Sequence, residues 1–289
     1  MALIQVSAYA KINLFLAVGD LRPDGFHDIL TVMRRTSLSD DVILETVADG
    51  HSEITLTVTG GDTVPTDKGN IAYRAAEKYL SVAGITDSVR IAIEKRIPVG
   101  AGLGGGSADA AATLRALDGI YGALSEEKIH EIALSLGSDV PFCIFGSTAV
   151  CEGRGEIITP ISDARDMHLV IAMKGRSVST PRAFKLLDEM RGGEKTDIEK
   201  SKEHLEELLK YLSKDGKLPS ILYNSFELAL GEAESDVLYL KQRMKDLGAT
   251  RTLMSGSGPS VFGIFPNKDS AERCIEALCA EGVRAYYSK

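Results

Sequence analysis

Five glycines in seven positions, Gly100, Gly102, Gly104, Gly105 and Gly106, stand inside residues 98–110, PVGAGLGGGSADA. A stretch so poor in side chains can take positive φ and turn its backbone N–H groups inward around an anion. The alanine-rich run at residues 107–117 has helical propensity, so the same anion would also meet a helix N-terminus. That chemistry is phosphate binding. Ser107 adds a hydroxyl suited to a phosphate oxygen or to Mg2+. Asp109 falls in the first turn of the helix, where a carboxylate can also serve simply to stabilise the helix start.

Two familiar nucleotide motifs fit these letters poorly. The Walker pattern requires Lys-Ser or Lys-Thr after its last glycine, and here Gly106 is followed by Ser107 and Ala108. Gly100, Gly102 and Gly105 do match G-x-G-x-x-G, but a long, largely antiparallel pattern precedes them instead of the βαβ unit of a dinucleotide site. Residues alone therefore carry the reading as far as phosphate binding.

Other polar residues stand where chemistry is plausible. In Ala10-Lys11-Ile12-Asn13-Leu14, strand alternation aims Lys11 and Asn13 at one face, either a wet face or a functional one. Asp139 precedes Val140-Pro141, as a turn former or as a working carboxylate. The four cysteines, 143, 151, 274 and 279, form no C-x-x-C pair and read as free thiols.

The elements that must position these groups follow from periodicity. Residues 9–18 read as a strand, Arg22-Pro23-Asp24-Gly25 as a turn, and residues 42–47 and 54–58 as further strands of an antiparallel sheet. Asn70 caps a helix that Gly84 closes, and Val89, Ile91 and Ile93 mark the strand before the glycine segment. A helix is predicted over 125–136, then Asp139 in a turn before a strand at 142–145. The second part carries a strand at 169–173, helical segments near 181–190, 200–212, 221–230 and 234–247, strands at 250–254 and 261–265, a helix at 269–281 and a strand at 283–287. The polar residues 191–207 read as a solvated loop and helix start. The expected boundary is near residue 160, with domains 1–160 and 161–289.

Composition narrows the function classes. There are 33 Lys and Arg against 41 Asp and Glu, a net charge of -8, so no chain-wide basic field attracts nucleic acid or anionic lipid. No apolar run approaches a membrane span and the first residues do not form a leader, so a cytoplasmic location is expected.

Three segments together, AYAKINLFLAVGDLRPDGFHDI, KRIPVGAGLGGGSADAAATL and TLMSGSGPSVFGIF, resemble the GHMP family of small-molecule kinases in content, order and separation. The resemblance implies an α+β, two-domain GHMP kinase fold: an N-terminal ATP-binding domain of the ribosomal protein S5 domain 2-like type and a ferredoxin-like C-terminal domain, with the site in the cleft between them. It further implies ATP with Mg2+, a catalytic pair Lys11 and Asp139, and ATP contacts from Pro98, Val99, Gly100, Ala101, Gly102, Leu103, Gly104, Gly105, Gly106, Ser107 and Ala108, with Ser107 as the candidate metal donor. AKINLFL, the D-G-F-H turn and LGSDVPF are most similar to the branch that acts on a cytidine diphosphate derivative of methylerythritol. On that likeness the reaction is phosphorylation of the 2-hydroxyl of 4-diphosphocytidyl-2-C-methyl-D-erythritol. Asn13, Phe26, His27, Asp139 and Phe184 would bind the acceptor, Phe26 and Phe184 sandwiching the cytosine. The protein is expected as a monomer or weak homodimer. A mevalonate or homoserine type of GHMP kinase, or an inactive binding protein of the same fold, is the alternative. Two departures are mild: Ala108 stands where a second serine is common, and Phe26 where tyrosine is frequent.

Overall fold

Two long strands, β1 (Ala2–Leu21) and β2 (His27–Val47), pair across the Arg22–Phe26 turn, where Arg22 N–H donates to the Phe26 carbonyl and Gly25 takes φ 83°. There follow β3 (Ile54–Thr59), α1 (Ile71–Ala83), β4 (Ser88–Glu94), α2 (Gly105–Tyr121), α3 (Glu126–Leu136), α4 (Val140–Phe145), β5 (Thr148–Glu152) and β6 (Ile157–Pro160). Then come β7 (His168–Met173), α5 (Thr180–Arg191), α6 (Glu199–Leu212), α7 (Glu234–Asp246), β8 (Arg251–Met254), β9 (Val261–Phe265), α8 (Lys268–Ala280) and β10 (Arg284–Ser288). The computed structural model describes residues 1–161, 165–175, 179–194, 196, 198–214, 216–220 and 222–289.

The chain divides into two compact units that alternate along it. The first comprises Met1–Lys11, Leu38–Val99 and Gly104–Gly146; the second comprises Ile12–Ser37, Gly100–Leu103 and Ser147–Lys289. In the first unit β4 runs antiparallel to β2 and parallel to β3, with α1 as the crossover that a parallel pair requires. The expectation of a purely antiparallel start is thus corrected at β3. Side-chain alternation reports which face is buried and carries no information on the direction of the partner strand.

Helix ends in this unit are set by local chemistry. Asn70 accepts from the Ala72 N–H, and Gly84 closes α1 in the left-handed region at φ 66°. Ser125 caps α3 through the Lys128 N–H, with Glu126 and Glu127 in the positive first turn. The strand predicted at 142–145 is instead the short helix α4, and Asp139 stands at its start. A brief apolar run fits either element; Pro141 suits a first helical turn and Gly146, at φ 66°, terminates it. Burying Val140 and Phe142 stabilises this turn by roughly 1.5–3 kcal/mol each, which fixes where Asp139 sits.

In the second unit the four strands run antiparallel in the order β10-β7-β9-β8, and α7 and α8 pack against them. Numbered along the chain that order is 4-1-3-2, with helices after the first and third strands: the ferredoxin-like arrangement. Val170 and Ala172, Val261 and Phe265, Leu240 and Met244, and Cys274 and Leu278 share its core. In place of the helix predicted over 221–230 there are 3-10 turns at Ser225–Leu228 and Gly231–Ala233; Ile221 lies outside the described residues, as do 195 and 197 of the polar segment. Asn224 accounts for the difference, because its carboxamide oxygen accepts from the Phe226 N–H while its NH2 donates to the Met254 and Gly256 carbonyls. These long-range bonds favour a fixed turn over a continued helix.

Candidate active site

Within the first unit Lys11 and Asp139 are brought together from β1 and the start of α4. Lys11 Nζ lies 3.3 Å from Asp139 Oδ2, the lysine side chain almost fully buried and the aspartate one-third exposed. Asp139 makes no capping bond to its own helix, so its carboxylate is turned to this pair. Gly104 completes the arrangement: a Cβ there would meet Lys11 Cγ at 3.1 Å and Cε at 3.2 Å, with Asp139 Oδ2 at 3.7 Å. At φ 70° the backbone also favours glycine. Burial, and then the Asp139 charge, push the neighbouring Cys143 thiol well above its ordinary range, so it stays protonated and is no nucleophile.

Gly104 begins α2, whose first turn carries Gly105, Gly106, Ser107 and Ala108. Ala108 is buried, and a Cβ on Gly137 would lie 4.0 Å from Ser107 Oγ, so that hydroxyl faces the turn two residues before Asp139. Among the described residues no group of three or more His, Cys, Asp or Glu could hold a metal. Mg2+ keeps much of its water and takes phosphate oxygens, so a single hydroxyl such as Ser107 beside bound phosphates fits its donor chemistry.

Sequence motifs did not single out the charged cluster beneath the loop. Lys95 Nζ lies 2.5 Å from Asp40 Oδ2 and 2.7 Å from Asp109 Oδ2, all three side chains buried. Asp40 Oδ1 also accepts from the Arg96 and Ile97 N–H groups at 2.5 and 2.8 Å. Asp109 therefore does not serve as a mere helix-start carboxylate. Burial pushes its carboxyl up to about 7; Lys95 opposes the rise and Asp40 adds to it. Burial disfavours charge on Lys95, but Asp109 and Asp40 outweigh it and hold the ammonium above its usual pKa. The signal was present in the phase of the strands. Lys95 continues the inward series Val89, Ile91, Ile93, and Asp40 the inward series Val42, Leu44.

In the second unit the other half of the glycine segment meets the Ser255-Gly-Ser-Gly-Pro259 turn. Ser255 Oγ donates to the Gly102 carbonyl at 3.0 Å, and Ser260 N–H donates to the Ala101 carbonyl at 3.3 Å. A Cβ on Gly102 would fall 2.1 Å from the Ser255 carbonyl oxygen, so only glycine allows this approach. The turn, which by itself reads as a common glycine turn, is thus a support for the segment. Asn13 N–H donates to Ser255 Oγ at 3.4 Å, and its side-chain NH2 donates to Thr31 Oγ1 at 2.9 Å.

The same unit holds the aromatic candidates. His27 is buried, its ring stacked on Phe184 at 4.7 Å and 14° and its Nε2 3.0 Å from Asp188 Oδ1. Phe184 meets Phe226 edge-on at 4.9 Å. One face of Phe184 is therefore taken by His27. Phe26 is 48% exposed, with the Arg154 guanidinium 4.5 Å over its ring. Asp188, Phe226 and Arg154 carry no motif; only folding puts them beside His27, Phe184 and Phe26.

A mixed α/β fold in which Gly104 of a glycine-rich segment packs on the Lys11–Asp139 pair has the parts that phosphoryl transfer uses. Residues 70–147 match the family model "GHMP kinases N terminal domain" and residues 179–284 match "GHMP kinases C terminal". The chain belongs to the GHMP kinase family, and with it to the ATP-dependent small-molecule kinases. Curated relatives named 4-diphosphocytidyl-2-C-methyl-D-erythritol kinase include one from Caldicellulosiruptor bescii, 39% identical and covering 95% of this chain and 94% of its own, and one from Clostridium tetani, 35% identical with 99% of each chain covered. A crystal structure of 4-(cytidine 5'-diphospho)-2C-methyl-D-erythritol kinase superposes with a TM-score of 0.81 at 36% identity, covering 99% of this chain and 98% of that one. A homoserine kinase from Cytophaga hutchinsonii, at 19% identity and a TM-score of 0.76 over 100% and 95% of the two chains, shares the fold. Among the described residues no helix is long and apolar enough to cross a membrane.

Proposed function

We propose that the protein transfers the γ-phosphoryl group of ATP to the 2-hydroxyl of 4-diphosphocytidyl-2-C-methyl-D-erythritol, giving the 2-phosphate and ADP. The observation that carries this reading is the Lys11–Asp139 pair held against Gly104 of the glycine segment. The near full-length similarity to kinases of that name supports the acceptor.

In this reading residues 98–108 cradle the nucleotide phosphates with backbone N–H groups, aided by the positive end of α2. The acceptor oxygen attacks the γ-phosphorus in line, a new O–P bond forms, and the bond to the β-phosphate oxygen breaks. Asp139 accepts or directs the proton leaving the hydroxyl, and its partial exposure suits contact with an acceptor. Lys11, buried and fixed by that carboxylate, stabilises charge on the transferring oxygens. Mg2+, when bound to ATP, neutralises phosphate charge, with the Ser107 hydroxyl as the protein's donor.

In this reading the acceptor's cytosine stacks between Phe26 and the face of Phe184 that His27 leaves free, while His27, oriented by Asp188, reads its edge and Asn13 bonds the methylerythritol part. Stacking tolerates any flat base, so discrimination falls to the hydrogen bonds. We take residues 1–160 and 161–289 as the two family domains.

Purified protein assayed with ATP, Mg2+ and each of three acceptors, the cytidyl compound, mevalonate and homoserine, tests the reading. Turnover of the cytidyl compound alone is expected; turnover of either other acceptor without it overturns the assignment.

A further inference from the structure

The chain leaves β4 after Glu94 and returns to regular structure in α2 at Gly105, and the Asp40–Lys95–Asp109 cluster stands at both ends of that connection. Lys95 is the first residue after β4 and Asp109 the fifth residue of α2, so their 2.7 Å ion pair closes the connection at its neck. Asp40 holds the outgoing strand. Its Oδ2 binds Lys95, and its Oδ1 accepts two successive backbone N–H groups, those of Arg96 and Ile97. The register of β2 on β4 pairs Asp41 with Glu94, so one step further sets Asp40 opposite Lys95. The clamp is close to the loop itself: a Cβ on Gly105 would lie 3.5 Å from Lys95 Nζ and 3.0 Å from Ile97 Cγ2.

This construction is more than the fold requires. One lysine and two carboxylates without solvent is a costly way to join two backbone segments, since well-packed apolar residues often do so with equal or greater stability. What the ions add is direction: each bond fixes a specific atom, and Asp109 Oδ1 accepts no hydrogen bond that would share the task. We propose that Lys95, held by Asp40 and Asp109, is a positioning residue for nucleotide binding, setting the α2 N-terminus and the loop before it in the geometry that receives the ATP phosphates. The proposal rests on the reading of this loop as the nucleotide site. Lys95 acts through the backbone of Gly105 and Ser107 and touches neither the acceptor nor the transferring group.

The test compares Asp109→Ala with Asp109→Asn. Alanine removes the tie to Lys95 but leaves Lys95 paired with Asp40, one cation facing one anion, so no unpaired charge is buried and the fold is retained. Asparagine keeps an oxygen able to accept from Lys95. Asp109→Ala is expected to raise the KM for ATP at least tenfold, with kcat and the acceptor KM within about threefold of the parent. Asp109→Asn is expected to return the ATP KM to within about threefold of the parent. A role in stability alone would lower Tm without that split and without rescue. Asp109→Ser, whose hydroxyl is too short to reach Lys95, provides the same comparison if the alanine variant does not fold. An unchanged ATP KM in Asp109→Ala, or an asparagine variant as impaired as alanine, overturns the proposal. Ser107→Glu separates the two readings: its charge favours the helix start and repels phosphate. ATP bound normally by Ser107→Glu removes the loop as the nucleotide site. ATP lost in Ser107→Glu but held by Asp109→Ala removes only the clamp.

Discussion

Lys11 Nζ and Asp139 Oδ2 are 3.3 Å apart, and Gly104 stands so close to them that a Cβ there would crowd the lysine chain at 3.1 Å. The pair unites a strand residue near the start of the chain with the residue that precedes a short helix far along it. Its asymmetry is informative: the ammonium is buried and the carboxylate is partly open. A buried ammonium needs its counter-charge, whereas an open carboxylate can still meet a substrate.

Asp139→Asn keeps an oxygen facing Lys11 and removes the proton acceptor. A fall in kcat of about a hundredfold or more is expected, with the ATP KM within about threefold. Lys11→Met should cost a similar factor, and the double variant little more than the worse single one, since the two act as a unit. Steady-state kinetics on the three variants checks this; unchanged turnover in Asp139→Asn removes the residue from catalysis.

Gly104→Ala and Gly84→Ala separate backbone strain from site disruption. Both positions are left-handed, φ 70° and 66°, so each alanine should cost roughly 1–2 kcal/mol of stability. Nothing lies within 4 Å of a Cβ on Gly84, while one on Gly104 presses on Lys11 at 3.1 Å. Thermal melts should therefore shift alike, and kcat should fall by about tenfold or more only in Gly104→Ala. Equal activity in the two would show that Lys11 moves aside without consequence.

Ser255 serves two partners in the second unit, accepting from Asn13 N–H and donating to the Gly102 carbonyl. Ser255→Ala leaves the buried Asn13 N–H and the half-buried Gly102 carbonyl without that partner and should destabilise by roughly 1–3 kcal/mol. Denaturant unfolding measures the loss, and weaker ATP binding is expected with it because Gly102 belongs to the glycine segment. Unaltered stability would mean that these two bonds are replaced by water.

Asp109 gives the protein a pH signature in the absence of nucleotide and metal. Its carboxyl rises from an ordinary 3.8 to about 7 on folding. The folded chain thus binds this proton more tightly than the unfolded chain. That contribution to stability is fully present below about pH 4 and is lost as pH rises through about 7. Asp109→Asn has no such proton, so relative to the parent its Tm should improve steadily between those limits and level off above them. A difference in Tm that does not vary with pH would show that the carboxyl binds its proton alike in the folded and unfolded chains.

The helix cap Asn70, the helix near 125–136, the Arg22–Gly25 turn and the strand phases were readable because each depends on neighbours within a few residues. So was the glycine segment, whose φ values of 64° at Gly100, 76° at Gly102 and 70° at Gly104 are those that glycine allows. The apolar run after Asp139 was not, because four apolar residues satisfy a strand and a helical turn equally, and packing against α2 chose the helix. The parallel partner of β3 was equally hidden in alternation.

For the candidate site the division falls at the same place. Residue types and spacing determined that a glycine-rich segment precedes a helix, and that a lysine and an aspartate were available elsewhere in the chain. Only the tertiary structure decided that Lys11 meets Asp139, that Ser255 supports Gly102, and that Lys95 ties Asp40 to Asp109. Glycine conformations and caps are local free energies, expressed by a few adjacent residues. Ion pairs between distant residues exist only after folding has removed the water around them, and no local window of the sequence contains both partners.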